Sequence, residues 1–309
     1  MTILCVGQLV ADILVKPVDS IDFSVDTKRV DLITVKGGGD SYNTATALAK
    51  LDQPVKFVGK CGCDSFGDLL YANARDAGID VSSIVRDPSC DTSAVIVALN
   101  PEGERVFLYY GGANDTFTYG DIPPDALDGC GIVHVGGTYN LPLFDGEGAA
   151  RLFALAQSRG ILTSMDVTYD VSGRWLEIIR PCLPHLDYFM PSAGEARMIT
   201  GRSSPEEMAA FLLDLGVRNV VIKLGGEGCY LQNEHTSFYT PAFEVEVADT
   251  TGAGDCFAAG FLTGLSQRWN LERCAQFACA VAAMCVTQVG ATTGVPTFPE
   301  IEKFIAQQR

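Results

Sequence analysis

Val247-Ala-Asp-Thr-Thr-Gly-Ala-Gly-Asp255, followed by Cys256-Phe-Ala-Ala-Gly-Phe261, is the stretch on which the reading of this 309-residue chain turns. Gly252, Ala253 and Gly254 carry almost no side chain, so the backbone there can approach a ligand closely. The apolar run behind them starts a helix. Free N–H groups at a helix N-terminus, reinforced by the helix dipole, form an anion hole suited to phosphate. Asp255 falls in the first turn of that helix. A carboxylate beside an anion hole either caps the helix, as first-turn Asp often does, or takes a proton from a hydroxyl that attacks the bound phosphate.

A second glycine-rich segment lies far upstream, Gly37-Gly-Gly-Asp-Ser-Tyr-Asn-Thr-Ala-Thr-Ala-Leu-Ala-Lys-Leu51. Three glycines running into a helix of small residues again set bare backbone beside a bound molecule, or make an ordinary turn. Asn43 stands one turn into that helix, facing back toward the glycines. G-x-G-x-x-G and G-x-x-x-x-G-K-[ST] are both absent. Neither a dinucleotide fingerprint nor a Walker A loop therefore accounts for phosphate binding.

Working outward, strands and helices alternate. Ile3–Gly7, Val55–Lys60, Ile132–Val135, Leu162–Asp166, Tyr188–Met190 and Asn219–Leu224 read as buried strands. Helical stretches are expected at Ser65–Ala77, Gly148–Ser158, Trp175–Leu183, Ala193–Thr200, Gly254–Ser266 and Leu271–Val286. That rhythm predicts an α/β fold with a parallel sheet covered on both faces. Two-residue alternation at 28–35, 92–99 and 105–110, the last two joined by Asn100-Pro-Glu-Gly103, predicts a small half-exposed antiparallel sheet inserted in the α/β domain.

Composition excludes several classes of function. Lys plus Arg number 22 against 38 Asp plus Glu, a formal net charge of −16. Such a surface repels phosphate backbones and anionic lipid, so neither nucleic acid nor membrane partners are expected. No uncharged apolar run reaches the roughly 18 residues of a membrane span. The start, Met1–Val10, has no basic region or cleavage site, so a cytoplasmic protein is expected. Eleven cysteines are scattered singly, and only Cys61-Gly-Cys63 forms a close pair. With three histidines in all (134, 185 and 235) and no G-x-S-x-G elbow, a zinc centre and a Ser-His-Asp hydrolase are both poorly supplied.

The two segments together resemble the signatures of the ribokinase-like (PfkB) carbohydrate kinases. Residues 249–255 match Asp-Thr-x-Gly-Ala-Gly-Asp, and Gly38, Gly39, Asn43 and Leu48–Leu51 match the N-terminal signature. The turn 58–67 is similar to the family's Gly-x-x-Gly-x-Asp-x-x-Gly, which makes Cys61 and Cys63 structural. Tyr110-Gly-Gly-Ala-Asn114 resembles the strand leaving the lid.

The resemblance implies a three-layer α/β sandwich with a mostly parallel central sheet and a small β-sheet lid. Residues 1–12, 37–90 and 114–309 would form the kinase core, and 13–36 and 91–113 the lid. It implies an ATP-dependent kinase for a hydroxyl of a small sugar or sugar derivative. A nucleoside kinase of the same family, or a catalytically silent sugar or nucleotide sensor, are the alternatives. It further implies that Asp255 is the general base, that Gly252–Gly254 form the anion hole, and that Asp12, Gly38, Gly39 and Asn43 bind the substrate. Ser192, Lys223, Gly225, Gly228 and Cys279 would border the nucleotide. Ser192 stands where relatives have Asn, and Cys279 where they place Asn or His. Glu195 would help hold Mg2+ through water, and Asp249, Thr251 and Gly290 would hold K+. A homodimer through the lid is expected. Asp40 directly after Gly38-Gly39 favours an unphosphorylated substrate, unless Arg105 or Arg174 reaches inward.

Overall fold

The computed structural model describes residues 1–20, 24–102 and 104–308. Residues 21–23 of the expected lid, Gly103 of the expected hairpin turn and the terminal Arg309 lie outside the described residues.

The main sheet grows from β1 (Thr2–Gly7), whose side chains alternate between two cores. Ile3 and Cys5 enter one hydrophobic cluster, Leu4 and Val6 the other. A strand apolar on both faces must be covered on both, which is why the run carries no polar alternation. Next along the chain come β2 (Val10–Lys16) and β3 (Leu32–Gly38), then helix α1 (Asp40–Lys50), β4 (Val55–Val58), β5 (Lys60–Gly62), α2 (Ser65–Asp76) and β6 (Val85–Asp87). The hairpin strands β7 (Ala94–Leu99) and β8 (Arg105–Tyr110) precede β9 (Cys130–Thr138), α3 (Glu147–Ser158), β10 (Leu162–Val167), the single turn α4 (Leu176–Ile179), β11 (Tyr188–Phe189) and α5 (Ala193–Thr200). The chain continues through α6 (Pro205–Asp214), β12 (Asn219–Lys223), β13 (Cys229–Asn233), β14 (Ser237–Thr240), α7 (Ala253–Ser266), α8 (Leu271–Cys285) and α9 (Phe298–Gln307).

The large sheet has the order β14-β13-β12-β11-β10-β9-β1-β4; β4 through β12 pair in parallel, and β13 and β14 close one edge antiparallel. Helices α1, α2, α7, α8 and α9 pack on one face through residues such as Leu48, Leu70, Phe261, Phe277 and Ile301. Helices α3, α5 and α6 cover the other through Phe153, Ile199 and Leu212. Fully burying a side chain of this size stabilises by about 1.5–3 kcal/mol, so each layer is anchored many times over. The result is the three-layer α/β sandwich with a separate small sheet that the element order implied.

The chain leaves β1 for β4 on one side and returns to place β9 on the other. The order of strands therefore reverses at β1, and in open α/β sheets ligands bind outside the carboxyl ends of the strands at such a point. Ser41, in the first turn of α1, ties that crevice together. Its hydroxyl donates to Val6 O (2.6 Å) and accepts from Gly136 N (2.9 Å).

The small sheet has the order β3-β2-β7-β8, with β2 and β7 parallel and the outer pairs antiparallel. Several local expectations shift. Asp12 sits inside a strand, and both β2 and β3 run past the expected lid boundaries at residues 13 and 36. The alternation at 28–35 is displaced to Leu32–Gly38. Val55–Lys60 is split at Gly59, where an added Cβ would stand 2.6 Å from the Phe57 ring and 2.8 Å from Gly7 O. The expected helix at Trp175–Leu183 starts after Trp175, whose φ is 36° and whose N–H goes to Asp170 (2.6 Å), and it stops at Ile179, where the following Pro181 has no N–H to continue the ladder.

Candidate active site

Four parallel strands end in polar residues at the reversal point: β1 in Gly7-Gln8, β9 in Gly136-Gly137-Thr138, β10 beside Asp166, and β12 in Lys223. The N-termini of α1 and α7 converge on the same space. Gly252 adopts the left-handed conformation at φ 75° as it caps α7. The first N–H groups of a helix have no intrahelical acceptor, and here only Ala253 N makes a local turn bond, a long one to Thr250 O (3.3 Å). Gly254 is bare for a reason visible in the packing, since a Cβ there would stand 3.1 Å from Lys223 Nζ. An ammonium thus sits against the expected anion hole.

Asp255 is buried at 8% exposure, one turn from that ammonium. Asn43 Nδ2 donates to its Oδ2 (2.9 Å), and Thr44 Oγ1 donates to its backbone carbonyl (3.4 Å). The two glycine segments, more than two hundred residues apart in sequence, therefore meet at the carboxylate. Burial holds the Asp255 carboxyl well above the ordinary carboxylate range, and Asp40 adds to the shift while Asn43 and Lys223 oppose it.

At the other end of the crevice Asp12 faces Gly38, whose missing Cβ would stand 2.1 Å from Asp12 Oδ2. Gly39, at φ 98°, then turns the chain into α1. Burial pushes Asp12 up to about 7, with Asp40 contributing. Asp40 itself is raised by burial to about 6, against the pull of Lys223. Lys223 Nζ lies 2.6 Å from Asp166 Oδ2. Burial works against its charge, but Asp166 and Glu195 outweigh it and hold Lys223 above its ordinary value. The crevice is thus rich in carboxyl groups, with Lys223 paired in its wall and Lys36 Nζ reaching the Gly290 turn.

Ser192 caps α5 and forms a reciprocal box with Glu195. Ser192 Oγ accepts from Glu195 N (3.3 Å), and Glu195 Oε2 accepts from Ser192 N (2.7 Å). Ser192 also bridges to Lys223. Gly225 and Gly228, both at positive φ, make the tight turn after β12. Cys279 lies buried in α8 with its thiol 4.0 Å from that of Cys229. Asp249, Thr251 and Gly290 do come together. Asp249 Oδ1 accepts from Thr251 N (3.0 Å) and Thr251 Oγ1 (2.7 Å), and Oδ2 accepts from Gly290 N (3.0 Å).

Among the described residues no three His, Cys, Asp or Glu side chains converge on a metal cage. That donor set fits magnesium bound mainly by phosphates and water, with one nearby carboxylate such as Glu195. The oxygens of Asp249 and Thr251, two residues apart on one loop that faces the Gly290 turn, suit a weakly held monovalent cation.

Sequence reasoning missed Asp166 as the partner of Lys223. It also missed a polar cluster of Gln8, Tyr109, Asn114 and Asn140, joined by bonds of 3.4–3.5 Å. The signal for both was their position at strand ends, which becomes visible only with the topology. Arg105 reaches inward, but to Thr251 and Asp249 and not to the sugar end. Arg174 pairs with Glu177 (3.6 Å), and both line a cavity shared with Tyr109, Tyr139, Asn140 and Asp170.

The family model for "pfkB family carbohydrate kinase" matches residues 2–298. The chain belongs to that family and is a phosphotransferase of the carbohydrate kinase type. It is 31% identical over 284 residues to the aminoimidazole riboside kinase of Salmonella typhimurium strain LT2, covering 87% of this chain and 88% of that one. Identity to the ribokinase of Staphylococcus aureus strain COL is 26% over 275 residues, covering 86% and 87%. Among solved structures, Thermotoga maritima ribokinase superposes with TM-score 0.85 at 28% identity over 99% of both chains. Arabidopsis thaliana ribokinase complexed with ribose and ATP gives 0.86 at 25% over 98% of both.

Proposed function

We propose that this chain uses ATP to phosphorylate a hydroxyl of a small, unphosphorylated sugar or sugar derivative. The observation that carries the reading is Asp255, a buried carboxylate at the start of α7, oriented by Asn43 from the opposite glycine turn. The substrate hydroxyl stands between the two helix N-termini, held by Asp12, Asn43 and the Gly38-Gly39 backbone. Asp255 accepts its proton as the oxygen attacks the terminal phosphoryl group. The N–H groups of Gly252–Gly254 face the charge that develops on the phosphoryl oxygens, the role an oxyanion hole plays in acyl transfer. Lys223, kept charged by Asp166, stabilises the same oxygens. Ser192, Gly225, Gly228 and Cys279 would border the nucleotide, and Glu195 would help hold magnesium through water. That ion, when bound, neutralises phosphate oxygens. Asp249, Thr251 and Gly290 frame a potassium site that orders the 251–254 turn.

The decisive assay follows ATP consumption against sugars, their monophosphates, sugar acids and nucleosides. Asp12 and Asp40 at the sugar end repel a second phosphate by on the order of a few kcal/mol at short range. The expected result is a kcat/KM for the parent sugar above that of its monophosphate. Because both carboxyls are raised, by burial to about 7 and about 6, they gain charge as pH rises through that range, and the discrimination sharpens. Potassium should raise the rate over tetramethylammonium at equal ionic strength. Preference for any monophosphate over its parent sugar overturns the substrate reading, and equal rates in the two salts overturn the cation site.

Nucleosides are a second reading, favoured by a cavity of about 680 Å³ beyond the Gln8 cluster. Tyr109, Tyr139, Asn140 and Asp170 are among its walls. It offers aromatic and acidic surface to a base carried on the sugar.

The small sheet supports the dimer. Its cross-strand register puts Ile13, Ile33, Ile96, Val106, Leu108 and Tyr110 on one face, and all but Ile13 are exposed. A continuous exposed apolar face of this kind marks an interaction surface. Light scattering should give twice the 33.0 kDa of one chain, and Leu108→Asp should halve the measured mass. A monomeric parent removes the proposal.

A further inference from the structure

The opposite face of the small sheet mixes charged residues with apolar and aromatic ones, and its Tyr109 reaches the crevice. In the same register Asp12 lies opposite Lys36 and Val95, Val95 opposite Tyr109, and Leu99 opposite Arg105. Arg105, Phe107 and Tyr109 alternate along β8 on this inner face, and Tyr109 Oη already contacts Gln8 and Asn114 in the crevice. The Arg105 guanidinium lies 5.6 Å from the Phe107 ring centroid, a cation–π contact that aims it along the sheet. Its Nη1 donates to Thr251 Oγ1 and stands 3.8 Å from Asp249 Oδ1. Thr251 immediately precedes Gly252. The guanidinium therefore waits one residue from the anion hole, on an element distinct from the one that builds it.

The charge balance of the crevice gives this position a purpose. Asp12, Asp40, Asp166, Glu195 and Asp255 surround a site that must admit a polyanionic nucleotide, and Lys223 is already paired. Asp249 does not require Arg105, since its oxygens accept from Thr251 and Gly290. An ion pair with the arginine side chain 40% exposed is weak and easily exchanged. A phosphoryl group, by contrast, matches the planar guanidinium fork and can take two donors at once.

We infer that Arg105 is a phosphate-binding residue carried on the small sheet. When nucleotide occupies the site, it leaves Asp249 and Thr251, engages the terminal phosphoryl oxygens, and so couples closure of the sheet to charge stabilisation at the reacting group. This inference rests on the reading of Gly252–Gly254 as the anion hole.

The test compares the parent, Arg105→Gln and Arg105→Lys by calorimetric titration with Mg-ADP and with the magnesium complex of β,γ-imido-ATP, alongside steady-state kinetics. Loss of Arg105 should weaken the imido-ATP complex about tenfold or more, leave ADP nearly unaffected, and lower kcat about 10²-fold with little change in the sugar KM. Arg105→Lys should fall between, because it keeps the charge but loses the fork. An equal loss for ADP and imido-ATP, or no loss for either, overturns the assignment; an unchanged melting temperature in both variants excludes a folding defect as the cause. Asp255→Asn separates the two levels of the argument. If it lowers turnover about 10²-fold or more while Arg105→Gln changes nothing, only the Arg105 inference fails. If it retains turnover, the reading of the site fails as well.

Discussion

Replacing Asp255 with Asn is expected to lower turnover about 10²-fold or more while leaving the fold and nucleotide binding intact, the usual scale for loss of general-base assistance. Asn is nearly isosteric, and its amide oxygen can still accept from Asn43 Nδ2, so the helix start keeps its anchor. What disappears is the carboxylate that Asn43 orients and that can take a proton. The pH profile supplies an independent check. Burial and Asp40 hold the Asp255 carboxyl above its ordinary range, so the basic form is gained as pH rises through that elevated value. The parent's kcat should climb with pH across that window, and the residual rate of the Asn variant should not. A variant that keeps turnover within a few-fold of the parent would show Asp255 to be a helix cap alone.

Gly252→Ala should be nearly as damaging for a different reason. Gly252 adopts φ 75°, and an added Cβ would stand 2.2 Å from Ala291 O and 2.7 Å from Ala291 Cα. Those are backbone atoms, so no side chain can swing aside. The left-handed conformation alone costs a non-glycine residue about 1–2 kcal/mol. Relief requires the 249–254 and 290–292 loops to separate, which displaces the N–H groups of the proposed anion hole. A displacement of about 1 Å at a reacting centre can cost about 10²-fold in rate. The expected result is a lowered melting temperature together with a kcat reduced by that order. Gly226→Ala is the control, since open space surrounds that position and its φ is not positive. Equal activity of the two variants would remove the requirement for glycine at 252.

The parts of this site that were legible in the sequence are those where chemistry leaves no choice of residue type. Bare backbone beside phosphate requires Gly252 and Gly254, and the turn into α1 requires Gly39, so both segments announce themselves. The β7–β8 hairpin was equally legible from its β-branched and aromatic runs on either side of Asn100-Pro101, although β8 is exposed along its whole length and not on one face alone. Three kinds of information were hidden. The β4–β5 break at Gly59 depends on the Phe57 ring and on the carbonyl of Gly7, a contact across elements. The Lys223–Asp166 pair spans 57 residues and exists because parallel strands bring their carboxyl ends level. Strand β2 reads as an apolar run interrupted by Asp12, and the interruption signals a loop until one sees that the carboxylate points into a crevice.

The small sheet enters the chain at two places with unequal consequences. The β7–β8 hairpin is closed at its base by a bond from Ser93 Oγ to Gly111 O, so it leaves and rejoins the core at a single clasp. Strand β3 has no such clasp. It ends at Gly38, and α1 begins at Asp40, so a single glycine is all that separates the sheet from the helix that holds Asn43. As a unit of inheritance, the hairpin is a cassette. Residues 93–111 enter and leave the core at one pair of neighbouring positions and carry Arg105 and Tyr109 together, with β7 paired along β2. The β2–β3 half cannot be recombined in that way. Any crossover within it also moves Asp12 and the Gly38-Gly39 turn, the residues proposed to hold the sugar, so a new cover on that side arrives with a changed crevice end.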